Sequence, residues 1–98
     1  MDEYYVWTTT RRIKASMRAN FERAWRPAEF PEGMLRAYEL WSEDGEEIVG
    51  LSIWSTRQLC ERYRSSAVEA RRREAMAPYV VEEQSTTYGG RELTIPGK

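Results

Sequence analysis

The chain has 98 residues and a formal charge of −1, from 15 basic and 16 acidic residues. That length makes one domain with a modest core, and that balance gives no overall pull toward nucleic acid or an anionic membrane. With no histidine and a single cysteine, Cys60, the sequence lacks the commonest general base and metal ligand, a thiolate metal cluster and any intramolecular disulfide. No apolar run approaches the roughly 18 residues of a membrane span. The start, MDEYY, lacks the basic and apolar regions of a signal peptide, so cytoplasm is the expected location.

In chain order, Tyr4 to Ile13 is rich in aromatic and β-branched residues and predicts a first strand. Tyr5, Trp7, Thr9 and Arg11 share one face of it; Tyr4, Val6, Thr8 and Thr10 share the other. Ser16 is the expected cap of a helix. Its apolar stripe is Met17, Phe21, Ala24 and Trp25, at i, i+4, i+7 and i+8, with Asn20 at the border. Pro27 and Pro31 mark the helix end and a loop.

Met34 to Trp54, MLRAYELWSEDGEEIVGLSIW, predicts a β-hairpin. Asp44-Gly45 between apolar runs signals a two-residue type I′ turn, with positive φ at both residues. In that register Trp41 faces Ile48, Glu39 faces Gly50, Ala37 faces Ser52 and Leu35 faces Trp54. Met34, Arg36, Tyr38, Leu40, Val49, Leu51 and Ile53 form the opposite face. Both faces are largely apolar, which is unusual for a sheet with one wet side. Helices cover one, and a second copy of the chain is the expected cover of the other.

Ser55 or Thr56 caps a second helical region with Leu59, Cys60 and Tyr63 inward. Ser65-Ser66 breaks it. A further segment places Val68, Ala75 and Met76 inward and Arg71, Arg72 and Arg73 mostly outward, until Pro78 closes it. Val80 to Tyr88 predicts a last strand, with Gly89-Gly90 as a turn or bulge. Arg91 to Ile95 forms a short extension and residues 96–98 a loose tail. The order β-α-β-β-α-β is the split βαβ of the α+β ferredoxin-like superfold, in a single domain of residues 1–98 with its core at about 4–90 and an extension at 91–98. RNA-recognition domains share the order. They require a Lys/Arg-Gly-aromatic motif on the third strand, and EEIVGLSIW is acidic at its start with one aromatic at its end.

Three stretches resemble the antibiotic biosynthesis monooxygenase-like family of dimeric α+β barrels. RRIKASMRANFERAW resembles its first strand entering its helix. GMLRAYELWSEDGEEIVGLSIWST resembles its central hairpin. IWSTRQLCERYRSSAVEARR resembles its tryptophan-then-helix segment. The resemblance implies a homodimer whose two sheets face each other, no membrane partner, and oxygenation of a small aromatic or quinol-type compound with no cofactor. Trp54 falls at the tryptophan position of the haem-degrading members. The first strand lacks their asparagine and the following helix their histidine, so haem is not implied.

An apolar pocket with a few oriented polar groups would serve such chemistry. The candidate catalytic residues are Trp54, Glu39 and Asn20, and the candidate substrate-binding residues are Trp7, Tyr38, Trp41 and Tyr63. Asn20 or a tyrosine hydroxyl would hold a phenolate oxygen. Glu39, opposite the open spot at Gly50, is either a base whose pKa burial raises or one half of an ion pair with an arginine. The alternative function is a non-catalytic homodimeric module that binds a small ligand or scaffolds.

Overall fold

The computed structural model describes residues 3–97; the end of the expected loose tail, Lys98, lies outside them. Strand β1 (Glu3–Ile13) leads to helix α1 (Arg18–Trp25). The hairpin β2 (Met34–Trp41) and β3 (Glu47–Trp54) follows. Helices α2 (Arg57–Arg64) and α3 (Ala67–Met76), a 3-10 turn at Ala77–Tyr79 and strand β4 (Val80–Arg91) complete the order. The sheet runs β2-β3-β1-β4 with every neighbour antiparallel. This is the expected ferredoxin-like α+β arrangement. Among the described residues no helix is long and apolar enough to cross a membrane.

The hairpin keeps the expected register through Trp41–Ile48, Glu39–Gly50 and Ala37–Ser52. Its turn differs. Ser42 N–H donates to Glu47 O at 3.0 Å and Gly45 N–H to Ser42 O at 2.9 Å, so four residues, 43–46, make the loop. Only Gly45 has positive φ, at 74°. Asp44 keeps an ordinary backbone because its carboxylate folds back locally, accepting from Ser42 Oγ at 2.6 Å and Glu46 N–H at 2.9 Å. Those bonds hold its pKa below the usual range. At the far end the register shifts between Met34 and Arg36, and Met34 faces Trp54 in place of Leu35. The extra residue is a β-bulge, which turns Leu35 outward.

Helix α1 starts at Met17 without a side-chain cap. Ser16, the expected cap, sits at φ 65° and turns the chain instead. Thr56 Oγ1 caps α2 by accepting from Leu59 N–H, and Ser66 Oγ caps α3 by accepting from Glu69 N–H, both at 3.2 Å. The face α3 turns inward matches the expected one at Met76 but not at Val68 or Ala75, which are exposed. Val68 is 53% exposed, while Glu69 and Met76 are each 1% exposed. Arg72, expected outside, joins them on the same side and pairs with Glu69 at 2.8 Å. Glu69, Arg72 and Met76 stand at i, i+3 and i+7, so the helix buries a charged stripe satisfied by its own ion pair. Strand β4 continues through Gly89 and Gly90, paired with Tyr5 and Tyr4, and no turn forms there. Beyond Arg91 the expected extension is not strand.

Burial alternates strictly along β3, with Ile48, Gly50, Ser52 and Trp54 buried beneath the helices. On that side the core falls into two clusters. Ile13, Phe21, Ile48 and Met76 form one. Trp7, Trp54 and Cys60 form the other, with Tyr5, Met34, Leu59 and Tyr63 against it. The opposite face carries Tyr38, Leu40 and Tyr88, which are 45%, 50% and 55% exposed.

Gly33 admits the chain to β2 at φ 89°, and a Cβ there would lie 2.7 Å from Leu59 Cβ and Cδ1. Its carbonyl accepts from Ser55 N–H at 2.9 Å, tying the two ends of the hairpin. Gly33→Ala is expected to destabilise the fold by about 1–3 kcal/mol, from the left-handed backbone plus overpacking. The urea midpoint falls with an unchanged slope.

Candidate functional site

Two rows of residues cross the centre of the sheet on the helix side. One is Ala37, Ser52 and Trp7; the next is Glu39, Gly50 and Thr9. Four of these six side chains are small or absent, so they cannot fill the space up to the helices. The two core clusters pack on either side of the gap. The result is a cavity of about 400 Å³ between sheet and helices, within the usual range for small-molecule sites. Trp25, Phe30, Tyr63 and Arg72 supply its roof, and Met34 and Trp7 its walls. Trp25 lies low over the sheet: a Cβ on Gly50 would come within 3.4 Å of its ring. The tighter neighbour of that position is Thr9 Oγ1, 3.0 Å from such a Cβ, so glycine at 50 makes room chiefly for this hydroxyl.

Glu39 is the one carboxyl in the lining. Its Oε2 is buried with no hydrogen-bond partner. Burial first, and then the carboxyl of Glu22 beside it, push its pKa up to about 7. Arg18 and Arg26 pull the other way and do not offset this. Arg18 is itself engaged by Glu22, at 3.6 Å. Near neutral pH the Glu39 carboxyl stands poised to take up or give up a proton.

Two cations line the cavity, Arg26 and Arg72, and Arg72 is occupied. Arg72 donates Nε and NH2 to Glu69 at 2.8 and 3.3 Å, and NH1 to the carbonyl of Trp25. It holds the end of α1 onto α3 and has little left with which to bind an anion. Tyr63 stands beside this pair, and burial followed by Glu69 raises its pKa. Trp7 donates Nε1–H to Ser85 Oγ at 2.6 Å and carries the Arg64 guanidinium 5.1 Å over its ring. Cys60 is fully buried, and burial pushes its thiol up to about 11, the state of an inert packing residue. Among the described residues no three His, Cys, Asp or Glu side chains gather where a metal ion could sit.

The expected site residues fall in different places. Glu39, Trp7 and Tyr63 line the cavity together. Trp54 is 0% exposed and sits behind Ser52, donating Nε1–H to Ser52 Oγ at 2.8 Å; that hydroxyl donates on to Trp7 O at 3.3 Å. It stacks on Tyr63 with ring centres 5.7 Å apart and so backs the cavity without facing it. Asn20 is half-buried on α1, outside the lining. Tyr38 stands on the opposite face of the sheet, because strand alternation separates it from Glu39. Trp41 is 57% exposed at the hairpin end, under the Arg18 guanidinium at 4.5 Å. Trp25, Phe30, Met34 and Arg72 were not expected in the site. Trp25 was visible as an apolar stripe residue, but Met34 reaches the cavity only through the bulge at Leu35.

The Glu39 carboxyl has a stability consequence. Its folded pKa lies above its ordinary value of 4.5, at about 7. Between those values the unfolded chain gives up the proton and the folded chain keeps it, so stability falls as pH rises from about 4.5 to about 7 and is flat beyond. Glu39→Gln, which mimics the protonated form, is expected to be more stable than the parent above pH 7 and equal to it below pH 4.5. Urea unfolding at a series of pH values checks this.

No family model matches the sequence, and no curated protein matches it. Solved structures do. SnoaB, a cofactor-independent oxygenase from Streptomyces nogalater, superposes with a TM-score of 0.76 at 18% identity, covering 98% of this chain and 99% of that one. A Nitrosomonas europaea protein described as a candidate antibiotic biosynthesis monooxygenase gives 0.76 at 23% identity, covering 88% and 97%. PA3566 from Pseudomonas aeruginosa gives 0.75 at 13% identity, covering 94% and 98%. The chain therefore has the antibiotic biosynthesis monooxygenase-like fold, a ferredoxin-like α+β layer in which three helices cover one face of a four-stranded antiparallel sheet.

Proposed function

We propose that the chain is a cofactor-independent monooxygenase of the antibiotic biosynthesis monooxygenase-like family, acting on a small aromatic or quinol-type compound. The observation that carries this reading is the cavity of about 400 Å³ walled by Trp7, Trp25 and Tyr63, with the single poised carboxyl of Glu39 in its wall. Aromatic walls suit a flat ring. In its ionised form Glu39 takes the proton from a ring hydroxyl. The phenolate supplies electrons directly to dioxygen, and a C–O bond forms at a ring carbon that bears hydrogen. Loss of water from the hydroperoxide leaves a carbonyl, so one oxygen atom ends in the product and the other in water. The bound ring itself, lying against the aromatic walls, displaces water from the reacting carbon. Trp54 acts from behind, through Ser52 and Tyr63, by holding the aromatic wall in place.

The rival reading, a dimeric module that binds without turnover, is favoured by one observation. Asn20 and Trp54 do not face the cavity, which leaves Glu39 as its principal proton-transfer group. Oxygen uptake separates the two. With a dihydroquinone, the rate is expected to rise with pH through about 7 as Glu39 ionises, and Glu39→Gln is expected to lower kcat at least ~100-fold. Uptake unchanged in that variant, or absent from the parent, rejects the catalytic reading.

The same reading takes the protein as a homodimer joined through the open sheet face. Tyr38, Leu40 and Tyr88 lie there exposed, beside half-buried Val49, Leu51 and Ile53. Leu51→Lys is expected to shift native mass spectra from dimer to monomer, because it buries an unpaired charge in the interface. A parent protein that is already monomeric at micromolar concentration removes the dimer from the proposal.

A further inference from the structure

We infer that the ligand of the cavity is amphipathic: its polar ring meets Glu39 inside, and an apolar chain leaves past Phe30 to lie in a surface groove. This rests on the cavity being a binding site for a quinol-type ring, as proposed above. The groove, of about 580 Å³, runs between the loop that carries Phe30 and helices α2 and α3. Pro27, Phe30 and Tyr63 belong to its lining and to that of the cavity, so the two spaces adjoin at these three residues.

The path carries ionisable groups at both ends and an apolar floor in the groove. An access channel for a polar compound would grow more polar toward water. Here Arg26, Glu39 and Arg72 line the cavity, and the groove is floored by Leu59, Val68 and Phe30. Phe30 and Val68 are 64% and 53% exposed, and no part of the described chain covers them. Charge is confined to Glu29, Glu32 and Arg62, which also contribute to the lining. A chain attached to a ring in the cavity would cover the apolar floor and remove it from water, which stabilises the complex with every methylene added. Adjacency to the cavity, through three shared lining residues, is the reason to assign the groove to the ligand's own chain and not to a separate partner.

The test is a homologous series of 2-alkyl-1,4-benzohydroquinones, from methyl to hexyl, titrated anaerobically by calorimetry so that binding is read without turnover. Affinity is expected to rise roughly two- to fourfold per methylene, since burial in an open groove recovers part or all of the transfer free energy. Val68→Asp is expected to flatten that rise. An aspartate in the first turn of α3 is compatible with the helix dipole, so the variant should fold. Phe30→Ser, in an exposed loop, gives a second variant with the same expectation. If the methyl compound binds but longer chains bind no better, the inference fails and the proposed ring site stands. If the rise survives both variants, the chain lies elsewhere and the inference fails. If no member of the series binds, the proposed site fails and this inference with it.

Discussion

The ion pair of Arg72 with Glu69 is the contact on which the layered arrangement depends. Helices normally stay on a sheet because their apolar stripes fill the surface beneath them. Here the middle of that surface is Ala37, Ser52, Gly50 and Thr9, and the space above it is open. Packing at the two ends of the sheet holds parts of α1 and α3, yet over the gap something must also tie the two helices to each other. Arg72 does so by taking both carboxylate oxygens of Glu69 on its own helix and the terminal carbonyl of α1 at Trp25. A buried pair of this kind contributes little net stability compared with an apolar substitute, but it fixes a geometry. It also satisfies a helix-end carbonyl that otherwise has no partner. A polar tie between the two helices, rather than filling side chains, holds the roof of the cavity together.

That division of labour explains which parts of the molecule the sequence disclosed. The hairpin register was readable although the turn was not. A two-residue loop at 44–45 and a four-residue loop at 43–46 pair the same residues, so Glu39 met Gly50 under either assumption. The alternation that identifies Ile48, Gly50, Ser52 and Trp54 as one face also places Tyr38 on the other, and its candidacy for the site conflicted with that pattern. Helix α3 was misread for a physical reason. Apolar periodicity assumes that the buried stripe is apolar, and here Glu69 and Arg72 are buried as a pair while Val68 is exposed. Nothing in residue type distinguishes Arg72 from Arg71 or Arg73 before the helix is docked.

Glu39 was legible for a narrower reason. A carboxylate facing a glycine on the core side of a sheet has no neighbour to fill the space beside it. What the sequence did not contain was its environment: Glu22 arrives from α1 as a second carboxyl, and the balance of burial against Arg18 and Arg26 depends on distances that only the fold creates. Trp54 presents the converse. Its position at the end of β3 was plain, but whether it faces the cavity or backs it is decided by Ser52 and Tyr63.

The bulge at Leu35 has a bearing on how this chain behaves in a crowded solution. Strand β2 is an outer strand of the sheet, and its free amides and carbonyls form a row on which another chain could build. A continuous, flat row is the hazard. The extra residue interrupts it one residue from its start, turns Leu35 out of line, and leaves Arg36 to begin the regular part. The same inserted residue that swings Met34 into the cavity wall thus also shortens the flat part of the edge to Arg36–Trp41, leaving fewer residues on which another chain could build.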